Sequence, residues 1–259
     1  ELNIAAEEYA KLCQRLDDEN IFVSWTPVSD SEPKVTKESV LELARASAAQ
    51  ILRFVDGVPN EDSVAVALDM VSTLAADTMP SMMRFEPEDG ISLALKFART
   101  LSAPVMHGAR RSQSDIATAG VLELAKVIAG PVVEIAERFS SSYTACSAAI
   151  CLVQTMAAPA KIVFRRLQPE ETLPAAIRLA QIIASKTMEI VSKQPEEDAL
   201  PASISLARGI FVETWELVQR CSESASNAGM AYLAQEVVMQ TVCIIKPMLP
   251  EEAVEMALL

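Results

Sequence analysis

An apolar residue returns every 27 positions along most of this chain: Leu43, Met70, Phe97, Leu124, Leu152, Leu179, Leu206 and Leu233 are separated by 27, 27, 27, 28, 27, 27 and 27 residues. A fixed spacing of this size marks a repeat architecture, in which each unit buries its apolar face only by stacking on its neighbours. Other columns keep the same register, whereas a false period would scramble them. Two positions earlier stand Leu41, Leu68, Leu95, Leu122, Ile150, Ile177, Ile204 and Ala231. One position later stand Ala44, Val71, Ala98, Ala125, Val153, Ala180, Ala207 and Ala234, and four later Ser47, Leu74, Leu101, Ile128, Met156, Ile183, Ile210 and Val237. The next column is polar and is predicted to face water: Arg45, Ser72, Arg99, Lys126, Gln154, Gln181, Arg208 and Gln235.

Within a unit the apolar residues recur at helical spacing. Between Ile116 and Phe139 they fall at Leu122, Leu124, Ala125, Ile128, Val132, Ile135 and Ala136, a band wider than a coiled-coil seam and suited to a helix with several neighbours. Period-two alternation and Asn-Gly hairpin signals are missing, so the expected class is all-α. Units start near residues 37, 61, 88, 115, 142, 170, 197 and 226, which predicts a solenoid-like array of about eight helices. Some 22 helical residues per unit give a length of about 33 Å, and linkers of four or five residues can join only antiparallel neighbours.

The punctuation agrees with these boundaries. Ser, Asp, Pro and paired acids such as Glu170-Glu171 stand at unit starts, where they cap free N–H groups and meet the positive end of the macrodipole. A cationic column, Arg84, Arg111, Arg138, Arg166, Lys193 and Arg220, stands at unit ends and is expected to cap the helix C-termini. Pro104, Pro131 and Pro159 share one position past the middle of three units. Proline there removes a hydrogen bond and crowds the preceding turn, so the expectation is one continuous helix per unit, kinked at these three residues; two short helices per unit is the rival. Pro174 and Pro201 read as ordinary first-turn prolines. The expected arrangement resembles armadillo and HEAT arrays in the general sense of stacked antiparallel helices, with shorter repeats and none of their specific motifs.

The chain divides into residues 1–36 and a single helical-repeat domain over 37–259. Ile4 to Leu16 reads as a short amphipathic helix, followed by Asp17-Asp18-Glu19-Asn20, the apolar run Ile21-Phe22-Val23-Ser24-Trp25 and a Pro/Ser-rich stretch. This segment is expected to fold back and cap the first unit, as terminal units of a solenoid require. The other reading makes Phe22 and Trp25 a docking site for a protein partner. A ninth unit begins at Pro250.

Composition narrows function mainly by what it lacks. A net charge of −13 argues against a nucleic-acid surface. Phe139 to Ala160 carries no charge over a length sufficient to span a bilayer, but its Ser, Thr, Gln and Pro residues and its match to the repeat columns favour a buried helix. Cys13, Cys146, Cys151, Cys221 and Cys243 are odd in number and lack CxxC spacing, which suits core thiols in a reducing intracellular compartment. A start at Glu1 without an initiator Met suggests a processed precursor or a trimmed chain, so an organelle reached after loss of a targeting segment is also compatible. The single histidine, His107, has no second His or Cys/His cluster to form a metal site with, and seven glycines form no phosphate-binding loop. The expectation is therefore no enzyme, no cofactor and no metal. The favoured function is a scaffold mediating protein–protein interaction as a subunit of a larger assembly. The alternative is an apolar-ligand carrier or membrane-associated subunit, suggested by small-residue helices, 11 Met and positive mean hydropathy.

Overall fold

The computed structural model describes residues 35–136, 138, 142–192, 195–219, 227–229, 231, 234 and 235. Among these the chain is helical, without strands, and seven helices follow one another: α1 (Lys37–Asp56), α2 (Ser63–Met82), α3 (Pro87–Arg111), α4 (Ser114–Ala136), α5 (Ser142–Phe164), α6 (Pro169–Val191) and α7 (Glu196–Val218). Of the capping segment expected over residues 1–36, residues 1–34, with Phe22 and Trp25, lie outside the described residues.

Local chemistry sets the helix starts. Thr36 caps α1 through a capping box, in which its hydroxyl accepts from the Ser39 N–H at 3.1 Å while the Ser39 hydroxyl accepts from the Thr36 N–H at 3.0 Å. Pro87 and Pro169 open α3 and α6, each followed by two acids, Glu88-Asp89 and Glu170-Glu171, in the first turn. The helices run unbroken through Pro80, Pro104, Pro131 and Pro159, which excludes two short helices per unit. Pro174 corrects an expectation: α6 starts at Pro169, so this proline sits in the second turn, where it removes a real hydrogen bond.

Packing follows one rule. Each helix packs against the next and the next but one, and every substantial contact between described helices is of these two kinds. The helices therefore form two rows, α1, α3, α5 and α7 in one and α2, α4 and α6 in the other, with the core between them. That core is aliphatic and fine-grained: Leu101, Leu124, Ile135, Leu152, Leu179 and Ile183 are among its largest closed side chains, interleaved with many fully buried alanines. Small residues bring helices together both between rows and within one. A Cβ on Gly108 would stand 3.0 Å from the backbone of Ser63, and one on Gly120 would stand 2.1 Å from Val64 Cγ1.

The leading apolar column is not uniformly closed. Phe97, Leu124, Leu152, Leu179 and Leu206 are at most 2% exposed, but Met70 is half-buried and Leu43 is 48% exposed. The physical difference is that α1 has no described helix before it and α2 only one. The following polar column lies at the surface in Arg45, Arg99, Lys126, Gln154, Gln181, Arg208 and Gln235, with Ser72 half-buried.

Candidate interaction surface

The residues of chemical interest gather at helix ends. Arg111, at the end of α3, donates to the Val55 carbonyl at 2.9 Å, the Val58 carbonyl at 3.3 Å, Asn60 Oδ1 at 2.9 Å and Asp56 Oδ1 at 3.2 Å. Arg138, after α4, donates to the carbonyls of Met83 at 2.6 Å and Phe85 at 3.3 Å, and Arg166, after α5, to that of Ala109 at 2.9 Å. The cations expected to cap their own helices thus cap the preceding helix of the same row. Stacking puts the C-terminus of that helix beside the arginine, and its free carbonyls need donors. Arg84 belongs to the same column, yet its exposed guanidinium binds no described residue. Lys193 and Arg220 lie outside the described residues.

The ion pairs between helices also link members of one row, whereas the Ser63 hydroxyl crosses between rows to the Gly108 carbonyl at 3.3 Å. Lys37 pairs with Asp89 at 2.6 Å between α1 and α3. Lys161 pairs with Glu213 at 2.6 Å and with Glu216 at 3.5 Å, and Arg165 binds Glu216, joining α5 to α7. The hydrogen bond from Arg165 holds the Glu216 carboxyl below its ordinary range; burial, the next largest effect, acts against it, and the charges of Arg165 and Lys161 add to the lowering. His107 Nε2 lies 2.7 Å from Asp56 Oδ1, beside Arg111, so the lone histidine joins the same α1–α3 helix-end cluster. Cys146 and Cys151 are half-buried cysteines on α5, and the other three lie outside the described residues. Among the described residues no three His, Cys, Asp or Glu side chains are grouped to hold a metal ion. Glu170 and Glu171 stand in the first turn of α6, as their spacing suggested.

Charge is mixed on both rows, but residues 90–112 and 142–168, covering nearly all of α3 and α5, contain no acid and expose Lys96 and Arg99. The same row exposes Glu38, Glu42 and Asp56 on α1 and Glu216 on α7, and the row of α2, α4 and α6 exposes Lys126 and Arg178 beside Asp69, Asp77, Glu123, Glu134 and Glu189. Sequence reasoning missed the acid-free pair, because α3 and α5 become neighbours only once alternate helices are assigned to one row. The helices Ser114–Ala136 and Ala145–Phe164 are long and apolar enough to cross a membrane, but more than half of each is buried among other helices. No family model matches the chain, and no curated protein is significantly similar to it.

Proposed function

We propose that this chain is a non-enzymatic scaffold that mediates protein–protein interaction as a subunit of a larger assembly. In this reading the helices are units of a solenoid-like array with a 27-residue period, kinked at Pro104, Pro131 and Pro159. The observation that carries it is the restriction of helix packing to the next helix and the next but one. Packing of that kind extends by addition rather than closing on itself, and it leaves long outer faces for partners. The arginine contacts, with separations of 53, 55, 56 and 57 residues, support equivalent units.

The acid-free stretches of α3 and α5, with Lys96 and Arg99 exposed, best fit a partner with an acidic surface, since opposed charge steers encounter and fixes register. The test is reversal of Lys96 and Arg99 to Glu, followed by cross-linking and isolation from the native source. A stoichiometric protein partner that binds the parent chain and is lost from the variant, with melting unchanged, is the expected result. A chain that carries no stoichiometric partner, or that binds equally with this face reversed, would overturn it.

A membrane-associated role is the second reading, motivated by the two apolar helices. Flotation of the purified chain with lipid vesicles separates the two: the scaffold remains in the dense fraction.

A further inference from the structure

The face that α3 to α7 turn toward earlier helices is closed, and the same face of α1 and α2 is open. Leu101, Ile128, Met156, Ile183 and Ile210 are buried, whereas Ser47 and Leu74, at the same position, are half-buried. This repeats the behaviour of Leu43 and Met70, so exposure follows the number of preceding helices. Phe54, 58% exposed, stands eleven residues after Leu43, three helical turns along the same stripe of α1. The open face therefore presents Leu43, Phe54 and Met70, large apolar side chains that later units cover.

Arg84 shows what else is missing there. The equivalent arginines find carbonyls 53 to 57 residues earlier in the chain. Counting back the same distance from Arg84 leads to residues 27–31, Pro27-Val28-Ser29-Asp30-Ser31. These lie shortly before α1, as Val55 and Val58 lie shortly before α2 and Ala109 before α4. The start of α1, to which they lead, is at the right end of the molecule, because the Lys37–Asp89 pair holds it beside the α2–α3 connection that contains Arg84.

We infer that residues 21–31 of this same chain are the predecessor that α1 and α2 lack: the backbone of residues 27–31 accepts from Arg84, and Ile21, Phe22, Val23 and Trp25 cover Leu43, Met70 and Phe54. With residues 27–31 held at Arg84 beside the start of α1, the six residues from Pro27 back to Ile21 can extend about 20 Å, which passes Leu43, about 9 Å along α1 from Lys37, and ends within a side chain's length of Phe54, about 26 Å along. Asp30 adds charge complementarity to Arg84, falling within one position of where Asp56 stands relative to Arg111. Phe22 and Trp25 are then internal anchors rather than a partner's docking site. The inference rests on the repeat reading of the preceding subsection.

Trp25 reports on this directly, because the chain has one other tryptophan, Trp215. In a Trp215→Phe background, quenching of Trp25 by acrylamide is expected to be several-fold weaker than in the unfolded chain and independent of protein concentration. Arg84→Gln, or Leu43→Lys at that exposed position, should restore quenching to near the unfolded level with helicity retained. Hydroxyl-radical footprinting of Phe22 and Trp25 in the unsubstituted chain gives the same reading without relying on any variant. Free quenching in the parent overturns the inference. So does protection that disappears on dilution, which would indicate a second copy, or protection indifferent to both substitutions. Melting of Arg138→Gln and Arg166→Gln distinguishes the underlying reading: if neither loses stability, the arginine contacts and the repeat reading fail together, whereas if both lose it and Arg84→Gln is silent, only this inference fails.

Discussion

The Arg111 guanidinium lies 2.9 Å from the carbonyl oxygen of Val55, 56 residues earlier in the chain, and through it α3 supplies hydrogen-bond donors to the C-terminus of α1. Helix ends present unpaired carbonyls that one planar, permanently charged group can satisfy together. The same relation ties Arg138 to Met83 in the other row and Arg166 to Ala109. Each such contact joins helices that a short linker cannot join.

Arg111→Met should therefore cost more than an ordinary surface change. It leaves the Val55 and Val58 carbonyls without this donor, and its hydrogen bonds are charge-assisted, so a loss of about 1–3 kcal/mol is expected. For a domain of this size that corresponds to a fall in Tm of about 2–4 °C per kcal/mol. Arg111→Lys should recover less than half, because an ammonium cannot reproduce the planar fork. Thermal melts of both, with Arg45→Gln as an exposed control, check this.

Leu124→Asp should reduce stability by several kcal/mol, since the side chain is fully buried and a carboxylate would find no partner there. Lys126→Asp, two residues on, should be close to neutral, because that side chain is exposed and loses only a surface pair with Glu123. Equal melting temperatures for the two variants would refute the assigned faces.

Gly120 and Gly209 should respond to alanine with opposite signs. At Gly120 a methyl would overlap Val64 Cγ1, and Val64 is a closed, β-branched core residue with little rotamer freedom, so a cost of about 1–3 kcal/mol is expected. At Gly209 the new Cβ meets nothing within 4 Å, and the helix should gain about 0.5–1 kcal/mol. Denaturant midpoints read both.

Glu216 sets a pH dependence on the acid side. Its carboxyl titrates lower in the folded chain than in the unfolded one, through the hydrogen bond from Arg165 and the nearby Lys161. Its contribution is therefore complete above the ordinary glutamate range and is lost as pH falls through the lowered folded value. The stability difference between the parent and Glu216→Gln should be constant at neutral pH and vanish in acid. Because Glu216 is half exposed, the difference should also shrink with added salt. A difference that grew on acidification would contradict the pairing.

How much could be read in advance depends on the range of the interaction involved. The helices between Lys37 and Val218 were legible because periodicity, caps and linker prolines are local, and the starts of α3, α4, α6 and α7 fall one residue before the expected ones. The start of α2 is less well placed: it lies at Ser63 rather than near 61, because the turn after α1 extends through residue 62. The arginine column was recognisable as helix-end chemistry, but its partners were not. Nothing in the spacing of Arg111 says that it serves α1 rather than α3.

By itself the sequence determined that the described residues are helical, where most of their helices begin, and which stripe of each middle helix avoids water. These follow from side-chain periodicity and from backbone groups that must be satisfied within a turn or two. Only the tertiary structure decided that Leu43 is exposed while Leu124 is closed, that Gly120 admits no methyl, that His107 lies beside Asp56, and that Arg111 serves the end of α1. Each of these depends on which helix lies across the gap, tens of residues away along the chain, and that is settled by stacking.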